Sequence, residues 1–499
     1  MHFLDQLALG FSVVFTVQNL VYCFIGCFLG TLVGVLPGLG PVPTIAMLLP
    51  LTFGVEPVSA LIMLAGLYYG SQYGGSTTAI LINLPGESAS IVTAIDGHQM
   101  ARKGRAGTAL ATAAIGSFFA GTVATLLIAC FAPLLAQFAL QFGAPEYFSL
   151  MVLGLSASAL MASGSFLKAI AMILLGILLG ISGDDLYTGL PRLTFGIHDM
   201  GDGMEFVSIA MGVFGLSEIM KNLETEPERN VVVRTVKGLW LSRKDFAEIA
   251  APVVRGTALG SILGVLPGGG ALLASFASYF LEKRIAENPE KFGKGAIAGL
   301  AGPESANNAG AQTSFIPMLT LGIPSNAVMA LMLAALIMQG ITPGPNVINE
   351  QPQLFWGLIV SMWIGNLMLL VLNLPLIGIW VKLLMVPYRV LFPAIMTFGC
   401  IGVFTVNNNT FDVYAMAVFG IVGYILMKLD FEPAPLLLGF VLGPLLEENL
   451  IRSMLLSQGD ARIFVQRPIS ATLLTLALLT IILVMIPALR KKRAVIFAE

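Results

Sequence analysis

"GLIVSMWIGNLMLLVLNLPLIGIW", Gly357 to Trp380, carries no charged side chain and is long enough to cross a hydrocarbon core of about 30 Å as a helix. Similar apolar runs occur at 125–140 and 469–489. Lipid allows only helices or closed barrels, and none of these runs alternates apolar with polar residues as barrel strands do. The three runs therefore predict a bundle of membrane-spanning helices.

The composition of the whole chain supports this class. Apolar residues make up 57% of the chain and charged residues 11%, whereas about a quarter of a soluble domain is charged. We expect an all-α polytopic membrane protein with roughly 11 to 13 transmembrane segments, some of them broken or re-entrant helices interrupted by Gly and Pro. No basic stripe is interleaved with aromatic residues, so nucleic acid is excluded as a partner and the lipid bilayer is expected instead.

Two helix-breaking motifs mark an internal repeat. "GVLPGLGP", Gly34 to Pro41, has a close copy in "GVLPGGGA", Gly264 to Ala271, which lies 230 positions later. Each copy is followed by a patch of small, hydroxyl and amide residues and then by a Pro before a small residue. The stretches that carry this order are "YYGSQYGGSTTAILINLPGESAS" (68–90) and "GPESANNAGAQTSFIPMLTLGIPSNA" (302–327). This ordered match predicts two related structural units.

The charges that flank the two copies are mirrored. Lys and Arg in short loops mark the cytoplasmic side of a membrane. The chain before the first motif has neither residue and a basic stretch follows at 97–107, whereas the second copy is preceded by basic residues within 221–244 and followed by an uncharged-to-acidic stretch at 339–353. Mirrored flanks are typical of inverted repeats in secondary transporters.

These features predict four regions along the chain. A first repeat half covers 1–220, a basic cytoplasmic linker covers 221–248, a second and inverted half covers 249–468, and a final transmembrane helix with a basic tail covers 469–499. The last span has basic residues on both sides, so the side of the C-terminus stays open.

A Gly-Pro break inside a membrane helix creates a possible binding site. It frees backbone groups that lipid cannot satisfy, so such a break must lie inside the protein or along a wet cavity. A helix that starts after the break points its free N–H groups at an anion, and freed carbonyls with nearby hydroxyls can hold sodium. A single break can be a simple kink, whereas two near-identical breaks with mirrored flanks favour a site.

Acidic residues offer candidates for the coupling ion. Glu304 lies beside two asparagines in the second polar patch and can take up a proton or sodium, although a structural role at a helix start is the alternative. Asp184 and Asp185 are expected in a solvated loop.

Cationic and catalytic candidates are few. Lys168 is expected to reach the membrane interface with its long side chain, Arg255 can do the same or act within the membrane, and His98 is expected to be solvated. The chain has no GxSxG elbow, HExxH motif or Walker loop, so we expect no enzyme and no ATP hydrolysis by this chain.

The motifs and the length of the chain closely resemble the large membrane subunit (TctA) of the tripartite tricarboxylate transporters. The likeness rests on "GVLPGLGP", "YYGSQYGGSTTAILINLPGE", "GVLPGGGA" and "GPESANNAGAQTSFIPMLTLGIP". It implies a permease of the bacterial inner membrane that imports carboxylates by symport with sodium or protons and needs no other cofactor. It also implies two partners, which are a periplasmic solute-binding protein and a small four-helix membrane subunit.

The resemblance assigns site residues at the matching positions. The residues expected to bind the substrate are Pro37, Gly38, Leu39, Gly40, Gly74, Gly75, Ser76, Thr77, Pro267, Gly268, Gly269, Gly270, Pro324, Ser325 and Asn326. The residues expected to bind the coupling ion are Thr78, Asn83, Glu304, Asn307, Asn308 and Thr313.

The identity of the transported anion stays open at this point. Citrate and other tricarboxylates fit the resemblance, and dicarboxylates or aromatic acids such as terephthalate suit the same architecture. A channel would conduct without a binding protein and without saturation, and a membrane enzyme would convert its ligand, so flux measurements and product analysis separate these alternatives from a transporter.

Overall fold

The structure is a computed structural model that describes residues 3–36, 40–52, 54–161, 165–185, 188–225, 236, 238–266, 270–384 and 388–485. The first part of the chain forms helices α1 Phe3–Val14, α2 Val17–Val35, α3 Pro41–Leu48, α4 Pro57–Ile82, α5 Ile91–Arg102, α6 Ala106–Ala139, α7 Ala144–Met161 and α8 Phe166–Gly180. A short antiparallel pair follows, β1 Gly183–Asp184 with β2 Pro191–Arg192.

The rest of the described chain is helical. Its middle part forms α9 Phe206–Ala210, α10 Ser217–Thr225, α11 Arg243–Val265, α12 Gly270–Ile285, α13 Ala298–Thr313, α14 Phe315–Leu321, α15 Ala327–Met338 and α16 Val347–Glu350. Its last part forms α17 Pro352–Asn373, α18 Ile377–Leu383, α19 Tyr388–Asn407, α20 Thr410–Lys428, α21 Ala434–Leu456, α22 Ile463–Gln466 and α23 Pro468–Met485. Single turns of 3-10 helix lie at Pro50–Thr52, Ser88–Ser90, His198–Met200 and Pro289–Lys291.

Seven helices within the described residues are long and apolar enough to cross a membrane. They are Val17–Val35, Ala106–Ala139, Phe206–Glu224, Arg243–Val265, Pro352–Asn373, Thr410–Lys428 and Ala434–Leu456. The third of these is one continuous helix, because a π-helical stretch, Met211–Leu216, joins α9 to α10. Five shorter apolar helices of 10–17 residues accompany them. The prediction of an all-α, multi-pass membrane protein is confirmed.

Two helices with polar patches lie at the centre of the bundle. Residues 59–82 of α4 and 299–313 of α13 are all buried. Both helices are rich in small and uncharged polar residues, so they can pack closely against neighbours on every side. The two polar patches therefore lie inside the protein and do not face lipid.

A row of glycines packs α2 against α4. Gly26, Gly30 and Gly34 stand four residues apart on one face of α2, and a Cβ atom at each of them would overlap a backbone carbonyl of α4. The three carbonyls belong to Met63, Leu67 and Ser71. Only a residue without a side chain lets two helix backbones approach this closely.

The same contact recurs between α11 and α13. Gly256, Gly260 and Gly264 lie 230 positions after the first three glycines, and a Cβ atom at each would overlap a carbonyl of α13. These carbonyls belong to Gly302, Ala306 and Gly310, each 239 positions after its counterpart. The two offsets are those of the glycine motifs and of the polar patches in the sequence. The repeat seen in the sequence is therefore also a repeat of helix packing.

Backbone geometry follows the same offsets. Gly40 before α3 and Gly270 at the start of α12 both have positive φ, at 53° and 47°. Asn83 after α4 and Gly322 after α14 are both left-handed, at 59° and 69°. Equivalent turns therefore start and end equivalent helices. The inverted orientation of the two units stays a prediction.

The structure refines the predicted regions near the basic stretches. Helix α10 extends into the predicted linker, and α11 begins at Arg243 with Ser242 as its N-cap, so both ends of 221–248 are helical. Residues 226–235 and 237 of this linker lie outside the described residues. The basic stretch 97–107 was expected to be a loop, but its first half is the end of α5, which ends at Arg102. The division into repeat halves stays a prediction.

Candidate functional site: a cavity between the two repeats

A cavity of about 640 Å³ lies where the two repeats meet. Its walls include Gly40 and Pro41, which end the first glycine motif, and Gly270 and Ala271, which end the second motif. The downstream proline motifs line it as well, through residues 85–89 of the first repeat and 326–328 of the second. Four segments that the sequence analysis singled out therefore share one cavity.

Helix N-termini converge on this cavity. Helices α3, α12 and α15 begin at Pro41, Gly270 and Ala327, and the turn Ser88–Ser90 leads into α5. All four starts line the cavity. The first N–H groups of a helix lack partners within the helix and carry partial positive charge, so each start favours an anion. The arrangement suits a ligand with more than one carboxylate.

The caps of these helices differ. Glu87 Oε2 accepts a hydrogen bond of 3.0 Å from the Ala89 N–H, and Asn326 Oδ1 accepts one of 2.9 Å from the Met329 N–H. These residues occupy equivalent places in the two repeats. Gly40 before α3 makes no side-chain cap. Pro41 and Pro43 carry no N–H, so the first turn of α3 offers a ligand only the Val42 N–H.

Polar side chains add specificity to the cavity. Tyr68 and Gln72 lie one turn apart on α4 and both line the wall. The Gln72 carbonyl oxygen, Oε1, is buried and has no hydrogen-bond partner in the described part of the protein. Helix α10 also contributes Glu218 and Lys221 to the wall. A buried polar atom without a partner is costly, so Gln72 is a natural contact for a polar ligand.

Several predicted substrate residues line the cavity and others do not. Gly40, Gly270 and Asn326 are on its wall. Gly74 packs against α2, where a Cβ atom would overlap the Thr31 carbonyl, and Gly75 packs against the side chain of Glu87.

The remaining predicted substrate residues do not line the large cavity in the described part of the protein. Ser76 and Thr77 line a second, much smaller void. Ser325 is buried, with its hydroxyl 3.5 Å from the Ser314 carbonyl, and Pro324 is buried beside it. Residues Pro37, Gly38, Leu39, Pro267, Gly268 and Gly269 lie outside the described residues.

The wall also contains residues that the sequence analysis did not select. Tyr68, Gln72 and Ser88 lie within the quoted stretch 68–90. Tyr68 and Gln72 are four residues apart, which places them on one face of a helix, and this spacing was a usable signal. Glu218 and Lys221 come from a different part of the chain, so their position depends on tertiary packing that one sequence does not reveal.

Glu304 joins the two repeats. Its Oε2 atom accepts a hydrogen bond of 2.7 Å from the Ser76 hydroxyl of α4, and its Oε1 atom accepts one from the Thr93 hydroxyl of α5. The residue is fully buried. No Lys, Arg or His in the described part of the chain forms an ion pair with Glu304.

The two neighbouring asparagines extend this contact. Asn307 Nδ2 lies 3.4 Å from Glu87 Oε1, at the wall of the large cavity. Asn308 Nδ2 donates to the Ser117 hydroxyl of α6 at 2.6 Å. Helix α13 of the second repeat therefore meets α4, α5 and α6 of the first repeat through one polar network.

The other coupling-ion candidates lie apart from this network. The Thr78 hydroxyl donates to the Val35 carbonyl at 2.8 Å and ties α4 to α2. Asn83 is the left-handed residue that ends α4. The Thr313 hydroxyl donates to the Ala309 carbonyl at 3.0 Å within its own helix. The structure thus brings Glu304, Asn307 and Asn308 together. The other three candidates, Thr78, Asn83 and Thr313, lie elsewhere.

The prediction that His98 is solvated was wrong. Its side chain is 9% exposed, and Nδ1 lies 3.1 Å from the Ile80 carbonyl. The adjacent Asp96 explains the error, because its carboxylate is buried and accepts hydrogen bonds from the Gly295 and Ala296 N–H groups at 2.6 and 2.8 Å. A buried, satisfied carboxylate holds this part of α5 inside the protein.

The remaining charged candidates form pairs or polar contacts. Arg255 makes a bidentate contact with Glu282, at 2.8 and 2.6 Å. Lys168 donates to the Leu429 carbonyl at 2.5 Å. Asp185 lies 3.2 Å from Arg192 in the short β-hairpin that also contains Asp184. The described residues contain no group of three or more His, Cys, Asp or Glu side chains that could hold a metal ion.

Comparison with known proteins gives a family match. Residues 20–438 match the profile of the Tripartite tricarboxylate transporter TctA family. An "Uncharacterized 52.8 kDa protein in TAR-I ttuC' 3'region" of Agrobacterium vitis is 64% identical over 499 residues, which cover 100% of this chain and 99% of that protein. An "Uncharacterized protein in TAR-II ttuC' 3'region" of the same organism is 65% identical over 240 residues, or 48% of this chain and 99% of that protein. No solved structure matches the chain. The matched range includes every residue that lines the large cavity.

Proposed function

The chain belongs to the Tripartite tricarboxylate transporter TctA family, and from this membership we propose that it is the large permease subunit of a carboxylate importer of the bacterial inner membrane. A periplasmic solute-binding protein would deliver the anion, and a small four-helix membrane subunit would complete the complex. Import would be driven by a sodium or proton gradient. The anion would be a tricarboxylate or dicarboxylate such as citrate, with aromatic acids such as terephthalate as the alternative.

The convergence of four helix N-termini on one cavity is the observation that supports this function best. Its volume of about 640 Å³ lies within the usual range for a small-molecule site. Carboxylates can be held there by backbone N–H groups and helix dipoles without a cluster of buried Arg and Lys. Three glutamates and Lys221 also line the cavity. An anion held by N–H groups near these carboxylates is released more easily than one in a tight ion pair, which suits transport.

Alternating access follows from the duplicated packing. Each repeat contributes one helix pair with close glycine contacts and one set of helix starts at the cavity. In our proposal the repeats move relative to each other around the bound anion, and the cavity opens to one side of the membrane at a time. The polar network around Glu304 lies at the contact between the repeats and would change during this movement.

Asn326→Asp tests the anion site. Asp is as good an N-cap as Asn, so α15 should keep its first turn, but the new carboxylate would face the cavity and repel an anion. We expect the initial rate of labelled carboxylate uptake to fall at least about tenfold in proteoliposomes that contain the complete transporter and its binding protein.

Thr16→Asp is the matched control. Thr16 caps α2 by accepting a hydrogen bond from the Asn19 N–H, and it does not line the cavity. The same charge is thus added at another helix start, where uptake should stay near the wild-type rate. Wild-type uptake by Asn326→Asp would reject the proposed anion site, and non-saturating flux without the binding protein would indicate a channel.

A further inference from the structure

A second void lies between α4, α6 and the end of α17 and shares no lining residue with the large cavity. Its volume is about 10 Å³, which is near the space that one water-sized particle needs. Its polar lining is contributed by three helices and consists of Tyr73, Ser76, Thr77, Ser117 and Asn373. The void is therefore the right size for one small polar occupant.

Two oxygen atoms on this wall lack partners. The Tyr73 hydroxyl and the Asn373 carbonyl oxygen, Oδ1, form no hydrogen bond with any described residue. Their residues are 3% and 4% exposed, so bulk solvent does not satisfy them. The amide nitrogen of Asn373 is already used, since it donates to the Leu369 carbonyl at 3.0 Å and contacts the Thr31 hydroxyl at 3.4 Å. Buried oxygens without donors indicate an occupant that oxygen can coordinate.

The carboxyl group of Glu304 lies next to the void. The Ser76 hydroxyl lines it and at the same time donates to Glu304, and Ser117 lines it and accepts from Asn308. Both carboxyl oxygens of Glu304 lie within hydrogen-bond distance of a hydroxyl group. A buried carboxylate without a cationic partner is costly, so a cation nearby would stabilise it.

The end of α17 adds to this field. Asn373 is the last residue of this 22-residue helix, and the C-terminal end of a helix carries partial negative charge. The void therefore combines oxygen ligands, a helix C-terminus and an adjacent carboxylate. Hard cations without strong geometric demands are bound by such oxygen sets.

We propose that this void binds one sodium ion, coordinated by oxygens of Tyr73, Ser76, Ser117 and Asn373 and neutralised by Glu304. The proposal rests on the proposed transport function, in which this ion is the coupling ion. A proton on Glu304 would remove its charge but leave the two oxygens without partners. A water molecule would satisfy those oxygens but leave the charge. A sodium ion does both.

Tyr73→Phe tests the site with little risk to folding. The lost hydroxyl has no hydrogen-bond partner in the described protein, so its removal breaks no internal bond. We expect equilibrium binding of radioactive sodium to the purified full-length chain, measured in excess potassium, to weaken about tenfold or more.

Tyr69→Phe is the matched control for this experiment. Tyr69 lies one turn earlier on α4, and its hydroxyl is also buried without a partner, but it does not line the void. Its sodium affinity should stay within about twofold of wild type. Asn373→Leu removes a second ligand and should weaken binding as Tyr73→Phe does.

The outcomes separate this inference from the transport proposal. Absent saturable sodium binding, or equal affinities of wild type and Tyr73→Phe, would overturn the sodium site. Carboxylate uptake driven by a proton gradient in the same preparation would then leave the transport proposal standing. Sodium binding lost on Tyr73→Phe, without uptake of any carboxylate by the complete system, would support the ion site and reject the transport proposal.

Discussion

The Ser76 hydroxyl donates a hydrogen bond of 2.7 Å to the carboxylate of Glu304, although the two residues belong to different repeats. Each residue lies in the polar patch of its own repeat, on a helix that is almost wholly buried. The two patches therefore contact each other at the centre of the protein. Any movement of one repeat against the other must change the surroundings of this carboxylate.

Glu304→Gln should uncouple uptake from the cation gradient. The variant keeps the size of the side chain but removes the charge that a sodium ion or proton would neutralise. We expect uptake at a saturating gradient to fall at least about tenfold and the remaining rate to lose its dependence on sodium or on pH. Initial rates over a series of sodium concentrations and pH values measure this.

Glu350→Gln is a suitable control, because Glu350 is an exposed residue at the end of α16. It should leave the cation dependence unchanged. If Glu304→Gln kept the wild-type dependence on both cations, Glu304 would have only the structural role that the sequence left open.

The glycine contacts predict a matched pair of destabilised variants. A Cβ atom at Gly30 would overlap the Leu67 carbonyl, and one at Gly260 would overlap the Ala306 carbonyl. We expect Gly30→Ala and Gly260→Ala each to lower the free energy of unfolding by about 1–3 kcal/mol, because the helix backbones must move apart. Thermal unfolding of the purified chain in detergent measures both.

Gly378→Ala shows whether the effect comes from the close contact. Gly378 lies in α18, and a Cβ atom there would meet no neighbour within 4 Å. Ala is the better helix former, so this variant should be neutral or more stable by up to about 1 kcal/mol. Equal stability of all three variants would contradict the packing we describe.

Some of this site could be predicted from the sequence because its signals are local. Positive φ at Gly40 and Gly270 follows from a glycine motif that breaks a helix, and the repeat follows from two copies of that motif. Glu304 could be singled out because an acidic residue among small polar residues is rare in an apolar chain.

Other parts of the site depend on packing between distant segments. Asn373 ends a long apolar helix and carries no motif, so its place beside Tyr73 depends on how α17 packs against α4. His98 and Asp96 lie next to basic residues, which indicate a solvated loop. The backbone N–H groups of residues 295 and 296, however, donate hydrogen bonds to Asp96 and hold this stretch inside the protein. Local charge therefore gave a wrong prediction where a distant partner supplied the hydrogen bonds.

Gly40→Leu should block the cavity. Gly40 has φ of +53°, and a Cβ atom there would meet no neighbour within 4 Å, so a larger side chain enters open space at the start of α3. We expect carboxylate uptake to fall at least about tenfold. The left-handed backbone also adds a strain of about 1–2 kcal/mol, which must be separated from the loss of uptake.

Gly340→Leu provides that separation. Gly340 has φ of +72° and equally open surroundings, but it follows α15 and does not line the cavity. The two variants should lose similar stability, and only Gly40→Leu should lose uptake. Similar uptake by the two variants would show that the start of α3 does not contact the anion's path.

The Arg255–Glu282 pair should respond unequally to removal of its two partners. Glu282 is 2% exposed and Arg255 is 39% exposed. Arg255→Leu leaves a buried carboxylate without its partner, whereas Glu282→Gln leaves a partly exposed guanidinium whose long side chain can extend toward the membrane surface. We expect Arg255→Leu to be the more destabilising change by about 1–2 kcal/mol in thermal unfolding, a figure reduced for the exposure of the arginine.

Arg452→Leu is the matched control for this asymmetry, because Arg452 pairs with Glu448 at the surface and is 60% exposed. Its loss should change stability by less than about 1 kcal/mol, since exposed pairs contribute little. If Glu282→Gln proved the more harmful change, the carboxylate would have another function besides pairing, and its position on α12, which starts at the cavity, would make transport the next property to measure.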